Sequence, residues 1–225
     1  MEQQALAFNP KEYDEKILKT LPYYKDMIQQ TIEVVKFGMD ERELSWLDIG
    51  CGTGSLIEMA LDQLPIKKIV MSDISSEMLE LSRKRLMRFK TYIDFINIAS
   101  QEICYIDEFD VVTSIQVHHY LHEEEREKAI TNCYNALRKN GIYITFENYS
   151  PFSNEGIKNA LERWERYQLN QGRTLSEVER HLSRFGEAFY PINIEKQLTL
   201  LKHIGFRNVE IFWVTYMQAG FWAKK

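Results

Sequence analysis

Apolar and polar positions change rhythm along the chain. Over the first 40 residues, Ile17, Leu21, Tyr24, Ile28, Ile32 and Val35 recur at helical spacing, which predicts helices with one buried stripe. From residue 45 onward, short apolar runs alternate with amphipathic stretches. The runs Ser45–Ile49, Lys68–Met71, Tyr92–Ile98, 109–115 (FDVVTSI) and 142–146 (IYITF) predict five strands. Between them, three segments predict helices: Leu56–Leu64, ended by Pro65; Glu77–Lys90, with Ser75 or Ser76 as N-cap; and Glu123–Leu137. The last sets Ile130, Cys133, Tyr134 and Leu137 on one face, with Arg138 and Lys139 suited to its negative end and Gly141 as its stop.

After Ser150 the rhythm changes. Residues 151–190 predict two helices rich in charge and aromatics, Ile157–Leu169 and Leu175–Phe185, with no strand between them. A helix over Ile194–Ile204 follows, with Asn193 as N-cap and Gly205 as its stop. Residues 208–213 and 218–224 then predict an antiparallel hairpin at a sheet edge. Strands alternating with helices imply parallel βαβ units and a doubly wound sheet. The expectation is an α/β domain: a seven-stranded, mostly parallel sheet with helices on both faces. It divides into a helical N-terminal segment (1–40), a core (41–150), a helical cap (151–190) and a C-terminal helix with edge hairpin (191–225).

One stretch inside this frame carries chemistry. In "WLDIGCGTGSL" (46–56), Gly50, Gly52 and Gly54 fall within five positions of a chain that has only ten glycines. Glycine suits positive φ and close approach of main chain to a ligand, and the end of the first strand is where an open parallel sheet binds ligands. Asp73 follows at the end of the second strand, placed to accept hydrogen bonds from a ribose diol. The spacing is G-x-G-x-G rather than the G-x-G-x-x-G of a pyrophosphate site, and no P-loop is present. Asp48 suits a ligand bearing an ammonium group better than a pyrophosphate. S-adenosylmethionine (SAM) fits both features, and a dinucleotide-dependent dehydrogenase is the remote alternative.

"LDIGCGTG", "SDIS", "FDVVTSIQVHHYL" and "NALRKNGIYITFEN" resemble, in that order, the class I SAM-dependent methyltransferase family over roughly residues 40–148. This implies a Rossmann-like fold. Within the family the chain is most similar to the carboxy-SAM synthases of tRNA wobble-uridine modification, through "LPYYKDM", "YQLNQGRTLSEVERHLSRF" and the C-terminal 26 residues. The resemblance implies that SAM is held by Tyr24, Asp48, Gly50, Cys51, Gly52, Asp73, Ile74 and Ser114. The family's adenine-reading acid is missing, and Ser100 and Gln101 stand in its place. Leu182 falls where a carboxy-SAM synthase has its carboxylate-binding arginine, with Arg180 and Arg184 each two positions away. That departure favours an ordinary methyl donor user over a carboxy-SAM synthase.

Methyl transfer from SAM needs alignment and exclusion of water more than it needs a catalytic side chain. His118 and His119 are the candidate bases if the acceptor loses a proton, against the plainer role of bracing their loop. Gln116, Glu147, Arg180 and Arg184 are the candidate acceptor-binding residues. His118, His119 and His122 lack a carboxylate or cysteine partner at metal-binding spacing, so no metal is expected. A net charge of −5 tilts against stable nucleic-acid binding, and the basic run 82–90 reads as a solvated helix face. The N-terminus lacks the apolar stretch of a signal peptide, no run approaches the ~18 apolar residues of a membrane span, and three unpaired-looking cysteines suit a reducing cytoplasm. A small-molecule acceptor and a homodimer complete the expectation. A SAM-binding regulatory protein without turnover is the alternative from another class.

Overall fold

A computed structural model describes residues 9–39 and 42–225. The strands are β1 Leu44–Ile49, β2 Ile66–Ser72, β3 Tyr92–Ile96, β4 Phe109–Ile115, β5 Leu137–Asn148, β6 Arg207–Thr215 and β7 Gln218–Lys224. They form one seven-stranded sheet in the order β3-β2-β1-β4-β5-β7-β6. β1 to β5 are parallel; β7 pairs antiparallel with both β5 and β6. Chain order reverses between β1 and β4, which opens a crevice at their carboxyl ends.

Among the described residues the helices are α1 Tyr13–Thr20, α2 Tyr24–Gly38, α3 Ser55–Leu61, α4 Ser76–Leu86, α5 Glu123–Ala136, α6 Asn154–Asn170, α7 Leu175–Leu182 and α8 Ile194–Ile204. Side chains of the sheet alternate between two cores. One face sets Trp46, Met71, Ile144 and Phe146 against Ile28, Ile32 and Val35 of α2 and Ile57 of α3. The other sets Leu47, Val112 and Tyr143 against Ile130 and Cys133 of α5 and Leu201 of α8. Ser75 caps α4 by accepting from the Met78 amide at 3.3 Å, and Asn193 caps α8 the same way at Lys196 (2.8 Å).

Two expectations are corrected in detail. The N-terminal stripe does not lie on one surface, because the chain turns at Tyr23, which is left-handed at φ 58. Ile17 and Leu21 therefore join Ala160 and Trp164 of the cap, while Ile28, Ile32 and Val35 reach the sheet. Residues 1–8 of the predicted segment lie outside the described residues. At the end of α5, Leu137, Arg138, Lys139 and Gly141 belong to β5 rather than to a helix terminus. Arg138 binds the Asp110 carboxylate at 3.0 Å. Gly141 is required there because a Cβ would lie 2.9 Å from the Arg138 carbonyl and 3.1 Å from that of Asp110; the left-handed residue is Asn140, at φ 65.

The cap, α6 and α7, is fastened to α1. Trp164 Nε1 donates to the Thr20 carbonyl at 2.7 Å, and Arg173 donates to Thr20 Oγ1 at 3.0 Å. No helix among the described residues is long and apolar enough to cross a membrane.

Candidate active site

The crevice holds two adjoining cavities separated by the glycine loop. The larger, about 140 Å³, lies among Gly50, Gly52, Asp73, Ile74 and Met78 on one side and Gln116, Val117, Tyr120, Asn148 and His181 on the other, under Tyr13, Ile17, Thr20 and Leu21. The smaller, about 30 Å³, lies among Tyr24, Asp48, Cys51, Thr53 and Ser55 and shares Tyr13, Gly50, Gly52, Ile115 and Gln116 with the first.

Gly50, Gly52 and Gly54 are all left-handed, at φ 62, 54 and 82. At Gly50 a Cβ would lie 2.4 Å from Val117 Cγ2, whereas at Gly52 its nearest neighbour would be Tyr13 Cε1 at 4.0 Å. The first glycine is needed for the protein's own contacts. The second keeps open a cradle that a side chain would fill.

Asp73 Oδ2 accepts from the Gly52 amide and Oδ1 from the Ser75 amide, each at 2.9 Å, so loop and acid form one rigid unit. Burial raises the Asp73 pKa despite these donors. Asp48 is buried deeper. It accepts from Thr113 Oγ1 at 2.6 Å, Thr113 in turn accepts from Trp46 Nε1 at 2.8 Å, and burial pushes the Asp48 carboxyl up to about 7. Burial, with Asp73 and Asp48 nearby, holds the Cys51 thiol protonated, which removes it as a nucleophile.

An ionic cluster closes the roof over the loop. Asp14 of α1 accepts from Thr53 Oγ1 at 2.6 Å and pairs with Arg85 of α4. Arg85 also donates to Ser55 Oγ at 2.5 Å and Thr53 Oγ1 at 2.9 Å.

Beyond β4, the segment carrying His118 and His119 passes behind the cavity. Both imidazoles are buried, and neither lines the larger cavity. His119 Nδ1 meets Glu147 Oε2 at 2.7 Å. His118 Nδ1 lies 3.2 Å from the Tyr143 hydroxyl, its Nε2 has no partner among the described residues, and burial lowers its pKa to about 4. A base role for either would require the loop to move; a bracing role would not. Glu147 likewise faces the loop rather than the cavity.

Other anticipated residues scatter. Ser114 is buried, bonded to the Tyr143 hydroxyl at 2.8 Å and to Thr145 Oγ1 at 3.1 Å. Ser100 and Gln101 occupy a short turn whose carbonyls accept from Asn132 Nδ2, and they line neither cavity. Arg180 is exposed on α7. Arg184 lines neither cavity; its guanidinium lies 5.7 Å from the ring centroid of Tyr120, which lines the larger one.

Sequence reasoning passed over Tyr13 and His181. Tyr13 stands four residues before Ile17, on the same helical stripe. His181 follows Val178 at i+3 on α7; burial lowers its pKa to about 3, aided by Arg173 and Arg184, so the imidazole facing the cavity is neutral.

A parallel crevice, a three-glycine cradle and an acid fused to it are an arrangement suited to a ligand that lies against main chain. Residues 47–141 match the family model for a methyltransferase domain. The carboxy-S-adenosyl-L-methionine synthase of Helicobacter hepaticus is 22% identical over 211 residues, covering 91% of this chain and 87% of that one. The enzyme of the same name from Campylobacter hominis is 24% identical over 215 residues, covering 95% and 90%. Phosphoethanolamine N-methyltransferase 2 of Haemonchus contortus, solved in complex with S-adenosyl-L-methionine, shares the fold at a TM-score of 0.70 and 15% identity, covering 99% of this chain and 58% of that one. Residues 47–141 carry a methyltransferase domain by the family match, and the chain is an enzyme whose cofactor is SAM. The residues present fit that cofactor, since Gly52 leaves its cradle open while Asp73 and Asp48 flank it.

Proposed function

We propose that the chain transfers the methyl group of SAM to a small-molecule acceptor that enters the larger cavity. The observation that carries this is the roof: Ile17, Thr20 and Leu21 of α1 and His181 of the cap cover the cavity, leaving room for a small molecule. SAM, when bound, supplies an electrophilic methyl on a sulfonium. Gly50, Cys51 and Gly52 bring main chain against it, Asp73 and Ile74 hold its nucleoside, and Asp48 and Tyr24 hold its amino-acid end. Ser100, Gln101 and Ser114 support the site from behind. Tyr13, Ile17 and Leu21 exclude water. Gln116, Tyr120, Asn148 and His181 line the space left for the acceptor. His118, His119 and Glu147 shape that space from outside.

A second reading is a carboxy-SAM synthase. It is favoured by relatives of that name matched over nearly their whole length and by the Arg184 guanidinium beside Tyr120, a cavity-lining residue, with Arg180 exposed on α7. Mass spectrometry of nucleotide released from the purified protein separates the two. SAM or S-adenosylhomocysteine supports methyl transfer; a species heavier than SAM by one CO2 supports the second reading. Incubation with SAM and a small-molecule cell extract should then yield S-adenosylhomocysteine. Binding without that product would support a regulatory protein.

We also read the chain as cytoplasmic, homodimeric and without stable nucleic-acid binding. Ile211 and Val214, exposed on the edge strand β6, support the dimer, which light scattering checks. Within the basic run, Lys84 pairs with Glu80, Arg85 with Asp14 and Glu58, and Arg88 with Glu58 and Asp62, which leaves less positive charge for a nucleic acid.

A further inference from the structure

Residues 116–121 leave the carboxyl end of β4 and place Gln116, Val117 and Tyr120 along the cavity. Two buried ions from outside this loop take up its main-chain groups. Glu147, at the end of β5, accepts from the His118 amide through Oε1 and from the His119 amide through Oε2, both at 3.0 Å. Its remaining capacity goes to Thr145 Oγ1 at 2.8 Å and the His119 imidazole at 2.7 Å. Arg126 of α5 works from the carbonyl side, donating through Nε to His118 O at 3.1 Å and through Nη2 to Leu121 O at 2.9 Å. Arg126 Nη2 also donates to the Tyr190 carbonyl in the cap, and the Tyr190 amide returns a bond to the His119 carbonyl at 2.6 Å.

The two ions therefore satisfy main-chain dipoles rather than each other. Arg126 and Glu147 are only 3% and 5% exposed. Loss of either would leave buried donors or acceptors without partners, a penalty larger than the value of the bonds themselves. Gln116 depends on the same frame: it is held left-handed at φ 61, with its amide bonded to the Phe146 carbonyl at 2.7 Å, one residue before Glu147.

We propose that Glu147 and Arg126 are positioning residues: a buried cross-brace that fixes loop 116–121 from both sides and couples it to the cap, thereby setting the acceptor end of the cavity. This rests on the methyl-transfer reading of that cavity. It assigns Glu147 to the protein's own loop rather than to the acceptor, and it gives Arg126 a role that its place on a helix does not suggest.

Hydrogen exchange by mass spectrometry on the full chain tests the brace, with Glu147→Gln and Arg126→Lys as variants. In Glu147→Gln the new side-chain NH2 would confront a main-chain N–H, donor against donor. In Arg126→Lys the ammonium cannot serve three spread carbonyls. In each variant, amides of 118–121 and of 186–190 should exchange faster together, by about tenfold or more, while β1 and β4 keep their protection. The SAM dissociation constant, by calorimetry, should stay within about threefold, while S-adenosylhomocysteine formed with a small-molecule extract falls by about tenfold or more. That split between cofactor affinity and turnover is what a merely structural role would not produce. Should Glu147→Gln lose protection throughout the sheet, Arg126→Lys carries the same comparison. Faster exchange in the loop with an unchanged cap overturns the coupling, and unchanged turnover overturns the positioning role. A wild-type protein that binds SAM but forms no product overturns the methyl-transfer reading instead, and the exchange data then decide the brace.

Discussion

Replacing Gly52 by alanine should separate binding from folding. Its backbone is left-handed at φ 54, so an alanine there costs about 1–2 kcal/mol in strain. The added Cβ meets nothing closer than Tyr13 Cε1 at 4.0 Å, so no collision adds to that cost. At roughly 2–4 °C per kcal/mol for a domain of this size, the melting temperature should fall by about 2–8 °C. Binding should suffer differently, because the new methyl stands in the cradle between the two cavities. Overfilling a close-fitting site costs about 1–3 kcal/mol, which weakens SAM about 5- to 150-fold. Gly50→Ala is the control: its Cβ would lie 2.4 Å from Val117 Cγ2, so it should lose more stability than Gly52→Ala. Calorimetric titration with SAM and thermal unfolding of both variants decide the matter. A Gly52→Ala protein that binds SAM with wild-type affinity, or that melts below Gly50→Ala, refutes the assignment of this glycine to the ligand.

Two further outcomes follow from the acids. Asp73→Ala removes the acceptor of the Gly52 and Ser75 amides, at about 1–3 kcal/mol for each donor left unpaired; SAM affinity should drop about tenfold or more in the same titration, with Asp73→Asn falling between. Asp48, pushed up to about 7 by burial, is protonated below that pH and charged above it. An ammonium-bearing ligand binds the charged form, so SAM affinity should rise from pH 6 to pH 8, with proton release on binding, and Asp48→Asn should flatten that rise.

The strands, the glycine loop and Asp73 were legible in the sequence because each is a local signal: a β-branched run, a spacing, an acid at a strand's end. The α5–β5 junction was not. Arg138, Lys139 and Gly141 satisfy the composition of a helix stop, yet Arg138 answers to Asp110, which is distant in sequence, and Gly141 to the crowding of the Asp110 carbonyl. The roles of Tyr13 and His181 depend on how α1 and the cap fold over the crevice, and periodicity identifies only their buried faces. Glu147 shows the same limit from the other side: its position at a strand end suggested a ligand-facing acid, and only the tertiary contacts reveal that its oxygens are taken by main chain.

The cluster of Asp14, Thr53, Ser55 and Arg85 ties the first helix to the floor of the crevice. These contacts hold α1 against the glycine loop beside the smaller cavity, so loosening them should widen the way in and out for a bound nucleotide. Salt, which loosens half-exposed ion pairs, should then hasten the release of spent nucleotide through side chains that line the entrance rather than the reacting atoms.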